Sequence, residues 1–309
     1  MRYWRHYPKF LQVILLMLMI FTLSSFSGVI AHLGLKGIFG LSMSDISDIN
    51  ARSSGKAIAA AQFVQGILSL FTFLLSALLF AHLTHPAAWQ YLGMRKPGMG
   101  IQIIIVALML VSFMPFVNQI GTWMQKINFG EGNKLSFQKN QEMMQALMRG
   151  TSNTDLFKHL FLFALLPAIG EELLFRGIIM RFSYSNSKNI HFAILISAAI
   201  FGIAHGSAYN FFPIMLMGIL LGYIYYLSGS IWLSMLAHFI NNALAALGLF
   251  LFNKSIVSDE VAKAENFPWY VLIISVALFI FLFSLLRKNA TPLSADWSDD
   301  YKGEQQTIN

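Results

Sequence analysis

Cysteine is missing from all 309 residues, which excludes disulfides, thiolate-bound metals and a cysteine nucleophile. Charge is nearly as scarce. Asp, Glu, Lys and Arg make up 11% of the chain, less than half of the roughly 25% found in an ordinary soluble domain, so no soluble domain of useful size fits. The bases outnumber the acids, 21 to 14, for a net charge of +7. They stand at the ends of apolar segments rather than in one massed patch. That distribution reads as topology signals and lipid-headgroup contacts and excludes a nucleic-acid surface.

What is present is apolar. Hydrophobic residues form 56% of the sequence, with 28 Phe, 10 Tyr and 6 Trp to supply lipid contacts and interfacial belts. A hydrocarbon core of about 30 Å takes about 20 helical residues. Runs of that order lie at 10–35, 56–84, 100–120, 158–182, 190–206, 211–228, 230–252 and 268–287. The expected fold is all-α, a polytopic membrane helix bundle of about eight transmembrane helices. Only "SGS" separates the sixth run from the seventh, so the last helices of this group form tight antiparallel hairpins. No internal repeat is visible.

The chain divides into N-terminal transmembrane helices (1–120), an extramembrane loop with an amphipathic helix (121–157), a motif-bearing helical region (158–252), and a last transmembrane helix with a polar, disordered tail (253–309). The opening "MRYWRHYPK" resembles the charged start of a secretory signal. The apolar run after it is longer than the usual 7–15 residues, so it is expected to stay as an anchor. Short basic stretches such as "MRKPG", "RFSYSNSK" and "LLRKN" fall on the side of the N-terminus, which places both termini in the cytoplasm. The expected location is a bacterial inner membrane, with lipids as partners. In the 121–157 loop, "QEMMQALM" puts Met143, Met144, Leu147 and Met148 on one side of a helix, which can rest on the membrane surface or gate a substrate.

The fourth run carries the anomaly. "FLFALLPAIGEELLFRGIIMRF" holds Glu171, Glu172 and Arg176 in a stretch otherwise fit for hydrocarbon, where a charge costs roughly 2.5–3.5 kcal/mol on insertion scales. Glu172 and Arg176 are one helical turn apart and can pair, whereas Glu171 points about 100° away and is left unpaired. An unpaired carboxyl in such a place is suited to general-base work.

Partners for it stand in the neighbouring runs. Six of the eight histidines (His6, His32, His82, His85, His159, His191) lie in loops or at helix ends, where an imidazole is cheap. His205 ends "FGIAH", one turn after Phe201, and His238 begins "HFINN", one turn before Asn242. Glu171 with His205 can deprotonate a water, while His238 and Asn242 can hold an oxyanion. Two histidines with Glu171 and Glu172 also satisfy the ligand rules for one catalytic zinc. The spacing leaves both mechanisms open.

"EELLFRG", "FGIAH" and "HFINN" resemble, in order, the three motifs EExxxR, FxxxH and HxxxN/B of the CPBP family, which contains type II CAAX prenyl proteases and bacterial Abi proteins. The resemblance covers about residues 155–250. It implies an intramembrane endopeptidase in which Glu171 and His205 activate water, His238 and Asn242 steady the oxyanion, and Glu172, Arg176 and Phe201 support the site. The family is described both as metal-independent glutamate proteases and as metalloproteases, and the motifs match both. No cofactor is expected, because Arg176 can balance two carboxyls in a dry membrane site without a cation, with one zinc as the alternative, and the implied substrate is a membrane-associated or lipidated peptide. A proton-coupled transporter or a non-catalytic scaffold would use the same intramembrane charges differently. A transporter more often shows an internal repeat, and a scaffold would tolerate loss of the motif residues, which are all intact here.

Overall fold

The computed structural model describes residues 3–96, 100–257 and 267–301. Every regular element among them is helical, as the composition demands: a backbone surrounded by hydrocarbon must satisfy its own polar groups. Six helices are long and apolar enough to cross a membrane: α1 (Lys9–Phe39), α2 (Gly55–Thr84), α3 (Ile101–Gln125), and, after three intervening helices, α7 (Phe211–Ser228), α8 (Ile231–Asn253) and α9 (Trp269–Lys288). Of the three between, α4 (Glu131–Leu147) is the amphipathic helix, α5 (153–187) carries the three intramembrane charges, and α6 is the short apolar Ile190–Ala204. Eight apolar helices thus correspond to the eight runs of the sequence. This is an integral, multi-pass membrane protein.

Helix α5 starts on a capping box, in which Ser152 accepts from the Asp155 backbone amide and Asp155 reaches back to Ser152. It is not a regular α-helix throughout. Two π-helical turns, Leu160–Leu165 and Leu173–Ile179, bracket an α-helical piece, Leu166–Glu172. Pro167 has no N–H and would press on the carbonyl of Phe163 in a continuous α-helix, and the wider turn just before it relieves both problems. Such turns recur at functional sites, and this pair brackets the two adjacent glutamates.

Helix α6 has 15 residues. At 1.5 Å per residue it reaches about 22 Å, short of the hydrocarbon thickness. Gly206, with φ of 63°, ends it in the left-handed conformation and leaves His205 at the C-cap. Helices α6 and α7 press together through Gly218 and Gly222, where an added Cβ would lie 3.0 Å from that of Ala198 and 2.9 Å from Ile194 Cγ2. The GxxxG face is therefore a packing face.

Helix α4 does not simply rest on lipid. Ala146, Leu147 and Met148 are buried with Ile58 of α2, Phe163 of α5 and Ala246 of α8. Its last turn leaves carbonyls without intrahelical donors, and side chains of the bundle supply them: Gln62 Nε2 to Leu147 O at 2.6 Å and Asn253 Nδ2 to Met148 O at 3.0 Å. Arg149 adds bonds to the carbonyls of Ala51 and Ser53.

The polar tail was expected to be disordered, and its described part is not. Residues 289–301 run as a strap across the end of the bundle where α1 begins. Thr291 N bonds to Leu227 O and Leu293 N to Tyr226 O, Trp297 and Asp300 are buried, and Asp300 pairs with Arg181 and Lys9. Burial alone would raise the Asp300 carboxyl, but the charges and hydrogen bonds of Arg181 and Lys9 outweigh it and hold the group below the ordinary carboxylate range. Residues 302–309 lie outside the described ones. His159, in the second turn of α5, is 1% exposed.

Candidate active site

The first motif divides its two carboxylates between two environments. Glu172 and Arg176 are both fully buried, with the Arg176 guanidinium 2.6 Å from Glu172 Oε1. The second guanidinium nitrogen donates to the carbonyl of Gly218, 2.9 Å away on α7, and Phe201 lies beneath the cation with its ring 4.8 Å from Cζ. The small residue at 218 thus serves twice, admitting α6 and exposing a carbonyl to Arg176.

Glu172 is shared further. His238 Nδ1 lies 3.0 Å from its Oε1, and the Ser234 hydroxyl donates to Oε2. Both carboxylate oxygens are therefore committed. A carboxylate is acceptor-only, so Nδ1 of His238 carries the proton, and Nε2 faces the other way, 3.8 Å from Glu171 Oε2. Glu171 is accordingly not surrounded by apolar neighbours alone, as its position in the sequence implied. It keeps some exposure, 12% of its side chain, toward a cavity of about 420 Å³ that it shares with His205, His238 and Asn242.

His205 enters that cavity from the end of α6. Its Nδ1 bonds to the carbonyl of Phe201 at 2.8 Å, which makes Nδ1 the donor and leaves Nε2 free to accept. The Phe201 ring meets both imidazoles edge-on, His205 with centroids 4.8 Å apart and His238 at 5.8 Å. Asn242, one turn beyond His238 on α8, lines the same space, and its Oδ1 accepts from Asn241 at 3.0 Å. Ser197 ties α6 to α5 through the carbonyl of Phe175 at 2.9 Å.

The seven residues singled out from the sequence therefore come together in two layers. Glu171, His205, His238 and Asn242 face the cavity, and Glu172, Arg176 and Phe201 lie behind them. Ser234 escaped the sequence reading although the signal was there: Ser234, His238 and Asn242 recur every four residues along one face of α8. Gln65 and Phe73 of α2 line the same cavity without a signal in the sequence, together with Met144 and Met148, which the amphipathic pattern had marked as one face of a helix able to gate a substrate.

As zinc ligands these groups do not fit as placed. Glu172 has both oxygens engaged, and among the described residues no three His, Asp or Glu side chains converge on a common point.

Fold and site together define a multi-pass membrane protein with an acid–base cluster buried between its helices and open to a cavity. Residues 153–244 match the model of the family described as type II CAAX prenyl endopeptidase Rce1-like, a segment that holds all three CPBP-like motifs. No curated protein and no solved structure matches the chain.

Proposed function

We propose that the protein is an intramembrane endopeptidase of the CPBP, type II CAAX kind that hydrolyses a peptide bond without a covalent intermediate. The observation that carries this reading is the convergence of Glu171, His205, His238 and Asn242 on one cavity. Glu171, assisted by the free Nε2 of His205, takes a proton from water as the oxygen attacks the carbonyl carbon. The tetrahedral oxyanion accepts hydrogen bonds from the Asn242 amide and from His238, whose Nδ1–H is already given to Glu172. His238 therefore donates from Nε2 as the imidazolium. Two carboxylates, Arg176 and that imidazolium sum to zero charge, which suits charges held between apolar helices. On collapse of the intermediate the C–N bond breaks, and the proton held by Glu171 passes to the leaving amine.

Glu172, Arg176, Ser234 and Phe201 act as positioning groups that fix His238 and brace α5 against α7 and α8. The substrate is a membrane-associated or lipidated peptide. We place the strap end of the bundle, where Arg5, Lys9, Arg181, Arg287 and Lys288 gather, in the cytoplasm of a bacterial inner membrane.

The test is hydrolysis of a peptide panel by purified protein, repeated after exhaustive chelation with elemental analysis. Cleavage that survives chelation supports direct action of Glu171 and His205. Stoichiometric zinc, lost together with activity and restored with it, would instead select the metalloprotease reading on the same residues.

A further inference from the structure

The rest of the cavity wall has a chemistry that the water-activating residues do not explain. Helix α2 passes through hydrocarbon, yet its sequence "AQFVQGILSLF" carries two glutamines, Gln62 and Gln65, three residues apart. Gln62 is accounted for, since it satisfies the Leu147 carbonyl at the end of α4. Gln65 makes no hydrogen bond among the described residues, and it is exposed to the cavity that holds Glu171, His205 and His238. Its primary amide therefore offers two donors and an acceptor to whatever occupies the cavity.

Beside it the cavity wall is built from Met144, Met148 and Phe163. These are fixed rather than loosely placed. The end of α4, with Met144 in its last turn and Met148 at its C-cap, is held by Gln62, Asn253 and the Arg149 guanidinium, and Phe163 is buried within the π-helical turn of α5 that precedes Pro167. Two thioethers and a ring form a deformable apolar surface that accepts large side chains and rejects polar ones.

Resting on the peptidase reading above, we propose that this wall selects the substrate: an extended peptide segment with a large apolar side chain next to the scissile bond, packed on Met144, Met148 and Phe163, while the Gln65 amide bonds the peptide backbone. Gln65 is a substrate-binding residue and helix α4 a specificity element. The acceptor and donors of one glutamine match the C=O and N–H of an extended strand, the way a groove reads a peptide irrespective of its side chains. The two Met residues then supply the selection.

The experiment uses the full chain in detergent micelles and fluorogenic peptides that carry Phe, Leu, Met, Ala, Ser or Asp at a single position flanking the cleaved bond. Binding of the same peptides to the Glu171→Gln variant is followed by fluorescence anisotropy. Expected is a preference for Phe, Leu and Met over Ser and Asp of about tenfold or more in both kcat/KM and Kd. Gln65→Leu raises KM and Kd by roughly 2- to 10-fold with kcat little changed, and N-methylation of one peptide amide that weakens wild-type binding has no further effect in that variant. Met144→Trp, with Met148→Ala as a second variant should the first not fold, changes the order of preference among the apolar peptides. Cleavage with no preference, or a Gln65→Leu variant indistinguishable from wild type, overturns the proposal and leaves the peptidase reading standing. Selective binding without cleavage supports the proposal and overturns the peptidase reading.

Discussion

His238 and Glu172 are joined at 3.0 Å, Nδ1 to Oε1, across two helices, and this one contact sets the direction of the imidazole. With Nδ1 spent on Glu172, only Nε2 can reach the cavity. The second glutamate of the first motif therefore acts through His238, and the Arg176 pairing that is evident from the spacing is only part of its role.

Arg176→Ala is expected to act through stability. Removal of one partner of a buried pair strands the other at a cost of about 3–5 kcal/mol, and here the Gly218 carbonyl loses its donor too. Thermal unfolding in detergent should show a large drop in melting temperature for Arg176→Ala and a smaller one for Arg176→Lys. An unchanged midpoint in the alanine variant would contradict the pairing.

Ser234→Ala removes a hydroxyl donor to a buried carboxylate, a charge-assisted bond of about 1.5–3 kcal/mol. The expected outcome is a modest loss of stability together with slower turnover, because Glu172 then holds His238 less firmly. If both melting and kcat match the wild type, Ser234 plays no part in the site.

Gly222→Leu should separate α6 from α7. A Cβ at this position already meets Ile194 at 2.9 Å, so the larger side chain must push α6 outward and displace His205 at its end. Loss of peptidase activity in a protein that still purifies folded is predicted. Full activity would show that His205 does not depend on that contact.

The strap has a pH signature. The Asp300 carboxyl is held below the ordinary range, so it binds protons less readily folded than unfolded. The stability it contributes is present above the ordinary Asp value of about 3.9 and is lost as pH falls through the lower folded value. Wild type should thus keep its strap contacts across neutral pH, and Asp300→Asn should lower the melting temperature at pH 7 but make little difference in strong acid. A variant that loses the same amount at both pH values would place the effect outside ionisation.

What was readable in the sequence was what periodicity and spacing encode locally. Eight apolar runs gave eight helices, and the four-residue spacing of Glu172 and Arg176 gave their contact. What was not readable depends on partners distant in the chain. Asp300 meets Lys9 across 291 positions, and no local feature of a polar acidic tail announces that docking. The amphipathic pattern of α4 fits either a surface helix or a substrate gate. Its end, Ala146 to Met148, packs on the bundle, where Gln62 and Asn253 of α2 and α8 hold it. Glu171 looked unpaired because its neighbours along α5 are apolar, while His238 reaches it from α8.

The central claim is that Glu171 acts on the water that cleaves the peptide. It is tested most directly by the single-turnover rate of peptide hydrolysis for Glu171→Gln against wild type, with folding of the variant checked by its melting curve. Glutamine keeps the shape and removes the base, and a general acid–base group contributes typically 10²–10⁴-fold. Expected is a folded variant that binds peptide and cleaves it slower by that factor or more. A folded variant that retains most of the wild-type rate would contradict it.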